Sequence, residues 1–222
     1  MINAIITAGG TSSRFGRTNK LLEKIHGKEI IKYTIENFDL PEIDRIIITA
    51  NPAIMDILDG FFNKNPKIKI IEGGSTRQQS VYNGLQAAAG CNYVLIHDGA
   101  RPMISKEIIL KTIETVKTKK ALTVMTKTID TIKEVDETGK IIRTIDRTKL
   151  YNTQTPQAFE YNLIKDVHEK LKGQNFTDDA GMAEYLGLDV YMVEGDYKNI
   201  KITTQNDIAI AREYLITHKV MN

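Results

Sequence analysis

A series of short aliphatic runs without clean polar alternation constrains this chain more than any other feature. The runs are AIITA at 4–8, RIIITA at 45–50, IKIIEG at 68–73, YVLIHD at 93–98, ALTVMT at 121–126 and VYMVEG at 190–195. A strand with one wet face alternates with period two, whereas a run that is apolar throughout is buried on both faces, as in a largely parallel sheet. Between the runs lie amphipathic stretches of helical length. One is Ile30 to Phe38, a second is Gln78 to Ala89, and a third starts at Ser105, a good N-cap, and continues through Ile108, Ile109, Ile113 and Val116. Strand and helix in alternation predict the α/β class, with three layers, right-handed crossovers and a mostly parallel twisted sheet. A length of 222 residues suits a single domain, 1–222.

One interval breaks the rhythm. Residues 127–150, KTIDTIKEVDETGKIIRTIDRTKL, read as two alternating strands around DETGK, with Gly139 available for positive φ at the turn. A two-stranded ribbon is marginal alone. Its Ile129, Ile132, Val135, Ile141 and Ile145 are expected to form an aliphatic face that a second subunit covers, making the segment a protruding β-hairpin arm for dimerisation.

Charge and cysteine content exclude several functional classes. Thirty Lys+Arg against 28 Asp+Glu leave a net charge of +2, too balanced for a general nucleic-acid or membrane surface, so any anion site is local. Cys91 is the single cysteine, which excludes an internal disulfide and fits a reducing cytosol. No apolar run approaches the roughly 18 residues of a membrane helix, and the N-terminus runs straight into a strand pattern, so the expected location is cytoplasmic.

Three segments at strand ends carry chemistry. In AIITAGGTSSRFGRTNK (4–20) a strand breaks into Gly9 and Gly10, then hydroxyls, then Arg14, Arg17 and Lys20. Glycines let backbone amides approach a ligand closely, and the cations suit an anionic one. The alternative is an ordinary tight turn. The segment matches neither the triphosphatase loop G-x-x-x-x-G-K-[ST] nor the dinucleotide fingerprint G-x-G-x-x-G. In EGGSTRQQSV (72–81) a second Gly-Gly turn leads through Ser75, Arg77 and Ser80 into a helix, fitting either a polar ligand or simple capping by Ser75 or Thr76. In IHDGARPM (96–103) Asp98 closes an aliphatic strand. A carboxylate there, near phosphates, is a means of holding Mg²⁺. Arg101 follows as a candidate ligand residue, and His97 alternates away from Asp98 as a structural histidine. Three later segments are DRTKLYNTQTPQAF (146–159), FTDDAGMAE (176–184) and NIKITTQND (199–207), the last placing Lys201 in a short strand before an Asn206-capped helix.

Taken together and in order, these segments resemble the 2-C-methyl-D-erythritol 4-phosphate cytidylyltransferase family of the non-mevalonate isoprenoid pathway. The resemblance spans essentially the whole chain and is most specific in HDGARP, DR…QTPQAF, TDDAGMAE and NIKITTQND. It implies a Rossmann-like nucleotidyltransferase fold, a homodimer, and CTP- and Mg²⁺-dependent (or other divalent cation-dependent) transfer of CMP onto a polyol phosphate. It places Ala8, Gly9, Gly10, Thr11, Ser12, Ser75, Arg77 and Ser80 at CTP, and Arg14 and Lys20 as the catalytic cations on the triphosphate. Asp98 matches the metal-associated aspartate. Arg101, Thr131, Arg147, Thr155, Thr177 and Lys201 match positions around the acceptor, some reaching it from the other subunit, with Arg147 and Lys201 clamping its phosphate. Departures from the family pattern are Ser12 for glycine, Asn19 for proline, Ser75 for aspartate, and a loop about one residue shorter between Arg14 and Lys20. Ribitol 5-phosphate cytidylyltransferase shares AGG and a QTPQ-F segment and is the rival enzyme, although FTDDAGMAE looks closer to the isoprenoid family. A silent nucleotide-binding regulator on the same fold is the non-enzymatic alternative.

Overall fold

The computed structural model describes residues 1–10 and 19–220, the last four by backbone alone. The first half comprises β1 (Ile2–Ala8), a small ribbon of β2 (Lys24–Ile25) and β3 (Lys28–Glu29), α1 (Ile30–Phe38), β4 (Arg45–Ala50), α2 (Met55–Phe62), β5 (Ile68–Glu72), α3 (Arg77–Ala87) and β6 (Tyr93–Asp98). There follow α4 (Lys106–Lys119), β7 (Ala121–Lys127), β8 (Ile132–Val135), β9 (Ile141–Ile145), β10 (Tyr151–Glu160), α5 (Tyr161–Lys170), α6 (Asp179–Tyr185), β11 (Tyr191–Glu194) and α7 (Gln205–Val220). Seven strands make one sheet in the order β11-β7-β10-β6-β1-β4-β5. All point the same way except β10, which is antiparallel to both β6 and β7.

The expected burial on both faces is clearest in β1. Ile5 packs with Val81 and Leu85 of α3 and with Ile164 and Val167 of α5. Its neighbours Ala4 and Ile6 belong to the opposite layer, with Ile31 and Ile35 of α1 and Ile109, Ile113 and Val116 of α4. Helix α3 approaches β1 closely at Gly84, where a Cβ would lie 2.6 Å from Ile5 Cγ2. Ser105 caps α4 as expected, its hydroxyl accepting from the Ile108 amide at 3.3 Å.

The structure corrects the sequence reading in four places. β10 is a ten-residue strand that fills the gap between β6 and β7, although its sequence YNTQTPQAFE lacks an aliphatic run. A register shift between Thr153 and Gln157 accommodates Pro156, which has no amide to donate. β5 lies at the sheet edge and is only half-buried. Lys201 lies in no strand, and α7 begins at Gln205 with Asp207 reaching back to the amides of Thr203 and Thr204, so Asn206 is inside the helix rather than its cap. The hairpin has no single aliphatic face. Ile132 pairs with Ile145 and Glu134 with Arg143, but a bulge shifts the register so that Val135 pairs with Ile141 one position out of phase.

The ribbon of β8 and β9 grows from the carboxyl end of β7, and its return limb enters β10 through the short helical turn Arg147–Lys149. Gly139 has φ of 86° in the turn between the strands. Its aliphatics stand in the open, with Ile129 64% exposed and Ile141 and Ile142 each 57%.

Candidate active site

The carboxyl ends of β1, β4, β5 and β6 lie side by side, and the two Gly-Gly turns meet there on one side chain. Ser80, buried in the first turns of α3, accepts from the Gly74 amide at 3.0 Å and donates to the Thr76 carbonyl at 2.9 Å. A Cβ on Gly9 would lie 2.9 Å from the Ser80 hydroxyl, and one on Gly73 3.1 Å from it. The glycines are therefore required by close approach. Thr76 caps α3 by accepting from the Gln79 amide. Asn19, where the family pattern has proline, accepts from the Leu21 amide and donates to the Gly10 carbonyl at 3.3 Å, tying the loop's return limb to the glycine turn.

Asp98 is the electrostatic centre. Its Oδ2 faces Lys201 Nζ at 3.0 Å and Arg101 Nε at 3.3 Å, and its Oδ1 faces Arg77 Nε at 3.5 Å. Burial alone would raise the carboxyl pKa, but Lys201, Arg77 and Arg101 together hold it far below the usual carboxylate range. The Asp98 amide donates to the Thr155 hydroxyl at 3.1 Å, which in turn lies 2.9 Å from His97 Nδ1. His97 Nε2 reaches the Arg101 carbonyl at 3.2 Å. Burial pushes the His97 pKa down to about 3, so the ring is neutral and serves as a strut, matching the structural reading from sequence.

Several residues that hold this cluster had no role assigned from sequence, although Gln157, Asp179 and Asn199 lie in the QTPQAF, TDDAGMAE and NIKITTQND segments. The Arg77 Nη1 bonds Asp179 at 2.8 Å, and Asp179 also takes His168 Nε2 at 2.9 Å. Burial opposes ionisation of Asp179, yet Arg77 and His168 bring its pKa below the ordinary value. Gln157, fully buried in β10, accepts from the amides of Asp179 and Ala180 and donates to Thr123 and Asp178. Asn199 donates to the carbonyl of Thr155 at 2.9 Å, and its own carbonyl takes Arg101 Nη1 at 2.8 Å, which fixes the segment bearing Lys201 against β10.

Two cavities share this cluster as a wall. The first, about 320 Å³, is lined by Ala8, Gly9, Gly10, Lys20, Ser75, Arg77, Ser80, Asp98 and Lys201 among others. The second, about 450 Å³, is lined by Arg77, Asp98, Arg101, Thr155, Thr177 and Lys201, together with Gln154, Gln157 and Asp178. The site residues expected from sequence thus divide between two adjoining clefts. Thr131 and Arg147 line neither. They stand exposed on the arm, where Arg147 Nη1 donates to the Ile129 carbonyl. Thr11, Ser12, Arg14 and Arg17 lie outside the described residues.

Among the described residues no group of three or more His, Cys, Asp and Glu could hold a metal, and Asp98 is the one carboxylate lining the first cavity. An ionised single carboxylate fits a divalent cation whose other ligands are substrate oxygens and water, not one caged by protein.

Neither cavity is lined by a cysteine or histidine among the described residues, and both present cations to the same carboxylate. Two polyanions brought edge to edge over one set of positive charges is the chemistry of nucleotide transfer, and this fold and site define the nucleotidyltransferase class. Within that class, residues 2–217 match the family model described as 2-C-methyl-D-erythritol 4-phosphate cytidylyltransferase, and the chain belongs to this family. Curated relatives of that name from Caldanaerobacter subterraneus and Clostridium botulinum are 42% and 43% identical, covering 96% and 97% of this chain and 98% and 99% of their own. The crystal structure of 4-diphosphocytidyl-2C-methyl-D-erythritol synthase from Anaerococcus prevotii superposes with a TM-score of 0.87 at 36% identity, covering 96% of this chain and 95% of its own.

Proposed function

We infer that the chain transfers CMP from CTP to 2-C-methyl-D-erythritol 4-phosphate, releasing pyrophosphate and forming 4-diphosphocytidyl-2-C-methyl-D-erythritol. The observation that carries this reading is the wall of Asp98, Arg77 and Lys201 common to both cavities. An acceptor phosphate in one cavity and a nucleotide α-phosphate in the other would face each other across this charged cluster.

The glycine-lined cavity takes CTP, with the amides around Gly9, Gly10 and Ser75 at the nucleotide and Lys20 at the triphosphate. The second cavity takes the polyol phosphate, held by Arg101, Thr155, Thr177 and Lys201. An acceptor phosphate oxygen, already ionised at neutral pH, attacks the α-phosphorus. The bond from that phosphorus to the β-phosphate bridging oxygen breaks, and pyrophosphate leaves with the electron pair. No proton has to be removed from the nucleophile, so positioning and charge stabilisation supply the rate enhancement. Lys20, with Arg14, stabilises charge on the α-phosphate and leaving group. A divalent cation, when bound, neutralises phosphate charge, and Asp98 is the residue that would hold it. The exposed aliphatics of the arm support its use as a dimer contact that brings Thr131 and Arg147 to the partner's acceptor cavity. No described helix is long and apolar enough to cross a membrane. We assign the protein to the cytoplasm on its single-cysteine composition.

The test is pyrophosphate release from CTP with each polyol phosphate. Turnover is expected with methylerythritol phosphate and CTP. Equal turnover with ribitol 5-phosphate, or with ATP or GTP in place of CTP, would overturn the substrate assignment.

A further inference from the structure

We propose that Asp179 and His168 are positioning residues for the transfer, holding the Arg77 guanidinium on the wall that the two cavities share. The proposal rests on the transfer reading above and concerns two residues that neither the motifs nor the family resemblance gave a role. Arg77 rises from the first turn of α3 and meets Asp98 only through a long contact of 3.5 Å at Nε. Its short contact, 2.8 Å at Nη1, is to Asp179. The orientation of the guanidinium plane is therefore set from the Asp179 side.

Asp179 is well placed to do this because it has no freedom of its own. It is fully buried, and its amide is fixed by Gln157 Oε1 at 3.0 Å. Its second carboxylate oxygen is occupied by His168 Nε2 at 2.9 Å. That contact makes Nε2 the protonated nitrogen of the ring, because a carboxylate only accepts. His168 is itself buried on α5, with its ring stacked at 6.4 Å on Tyr82 of α3, the helix that carries Arg77. The chain His168–Asp179–Arg77–Asp98 thus runs from the helical layer to the shared wall. Arg77 spends Nε and Nη1 on the two carboxylates, and its buried Nη2 has no hydrogen-bond partner. A buried donor left idle is costly. A phosphate oxygen arriving between the cavities is the acceptor this nitrogen lacks, provided the guanidinium stays where Asp179 holds it.

The experiment is a double-mutant cycle on the full chain, reading kcat and both KM values together with thermal melting. Wild-type turnover with CTP and methylerythritol phosphate is measured first and tests the transfer reading by itself, so the two failures are distinct. Asp179→Asn is expected to lower kcat roughly 10- to 100-fold, the effect of losing one charge-assisted contact to a group at the transition state. In an Arg77→Ala background the same substitution should cost less than about 2-fold, because a residue acting only through Arg77 has nothing left to position. His168→Gln keeps an N–H donor and should stay within about 3-fold of wild type, whereas His168→Ala falls about 10-fold. An Asp179→Asn loss that is the same with and without Arg77, or no loss at all, would overturn the proposal. If Asp179→Asn does not fold, the cycle is run with the His168 pair. Equal losses in Gln and Ala, or a loss independent of Arg77, would then overturn it in the same way.

Discussion

The Asp98 cluster and the hairpin arm leave the same edge of the sheet and are built in opposite ways. At Asp98, Lys201, Arg101 and Arg77 converge on one buried carboxylate, and the network behind it continues to Asp179 and His168 without leaving the chain. On the arm, Thr131 and Arg147 stand in solvent, and Ile129, Ile141 and Ile142 have no cover. The difference separates a cluster that one chain completes from a ribbon whose side chains stay open to solvent. Burial strengthens each charge contact in the first region, because low dielectric favours paired ions. Charges in the second stand in water and gain little from pairing.

The largest expected effect lies in the first region. Lys20→Ala should cut turnover by roughly two to four orders of magnitude, the loss of a preorganised charge contact to the transition state, while leaving the melting temperature near wild type. Steady-state pyrophosphate release on the folded variant checks it, and near-normal turnover would remove Lys20 from the mechanism. Core truncation comes next. Ile5→Ala, beneath the cluster, should destabilise the fold by about 2–5 kcal/mol in denaturant titrations. Little change would mean that β1 is not packed on both faces.

The arm is where the comparison can be broken. Arg147→Ala should lower activity about 10- to 100-fold, as for loss of one charged phosphate contact. If the arm serves the partner, a verified mixed dimer of Arg147→Ala and Lys20→Ala subunits regains one intact site of two. No rescue, or full activity in a monomer, would assign Arg147 to its own chain's site or to none. The smallest effect is on arm stability. Ile142→Ser should change unfolding free energy by less than about 0.5 kcal/mol, since an exposed side chain loses no packing, yet it should weaken subunit association in sedimentation. A large loss of monomer stability instead would show that the arm packs on its own domain.

Strand–helix alternation was legible from β1 to α4 because strands buried on both faces cannot hide their composition. The glycine turns and Asp98 stood out as candidates at strand ends, whereas Lys20, Arg77 and Lys201 took their roles from the family resemblance. β10 was not, since its residues serve contacts instead of a core: Gln154, Thr155 and Gln157 spend their polar groups on Asp196, His97 and Asp178. The arm was legible as a hairpin, but its single aliphatic face was not there, because Ile132 and Val135 are three positions apart on β8 and so point to opposite sides, and a bulge shifts the pairing beyond Glu134.

Local pattern therefore determined the elements, the glycine turns and the charged residues of the site, because each follows from the needs of a few consecutive residues. Only the tertiary structure decided that Ser80 joins both glycine turns, that Asp98 draws cations from positions 77, 101 and 201, and that Asp179 and His168 stand behind Arg77. Those contacts link residues as many as 103 positions apart, as Lys201 is from Asp98. Their energy comes from burial and mutual approach, which no stretch of sequence has until the sheet closes around it.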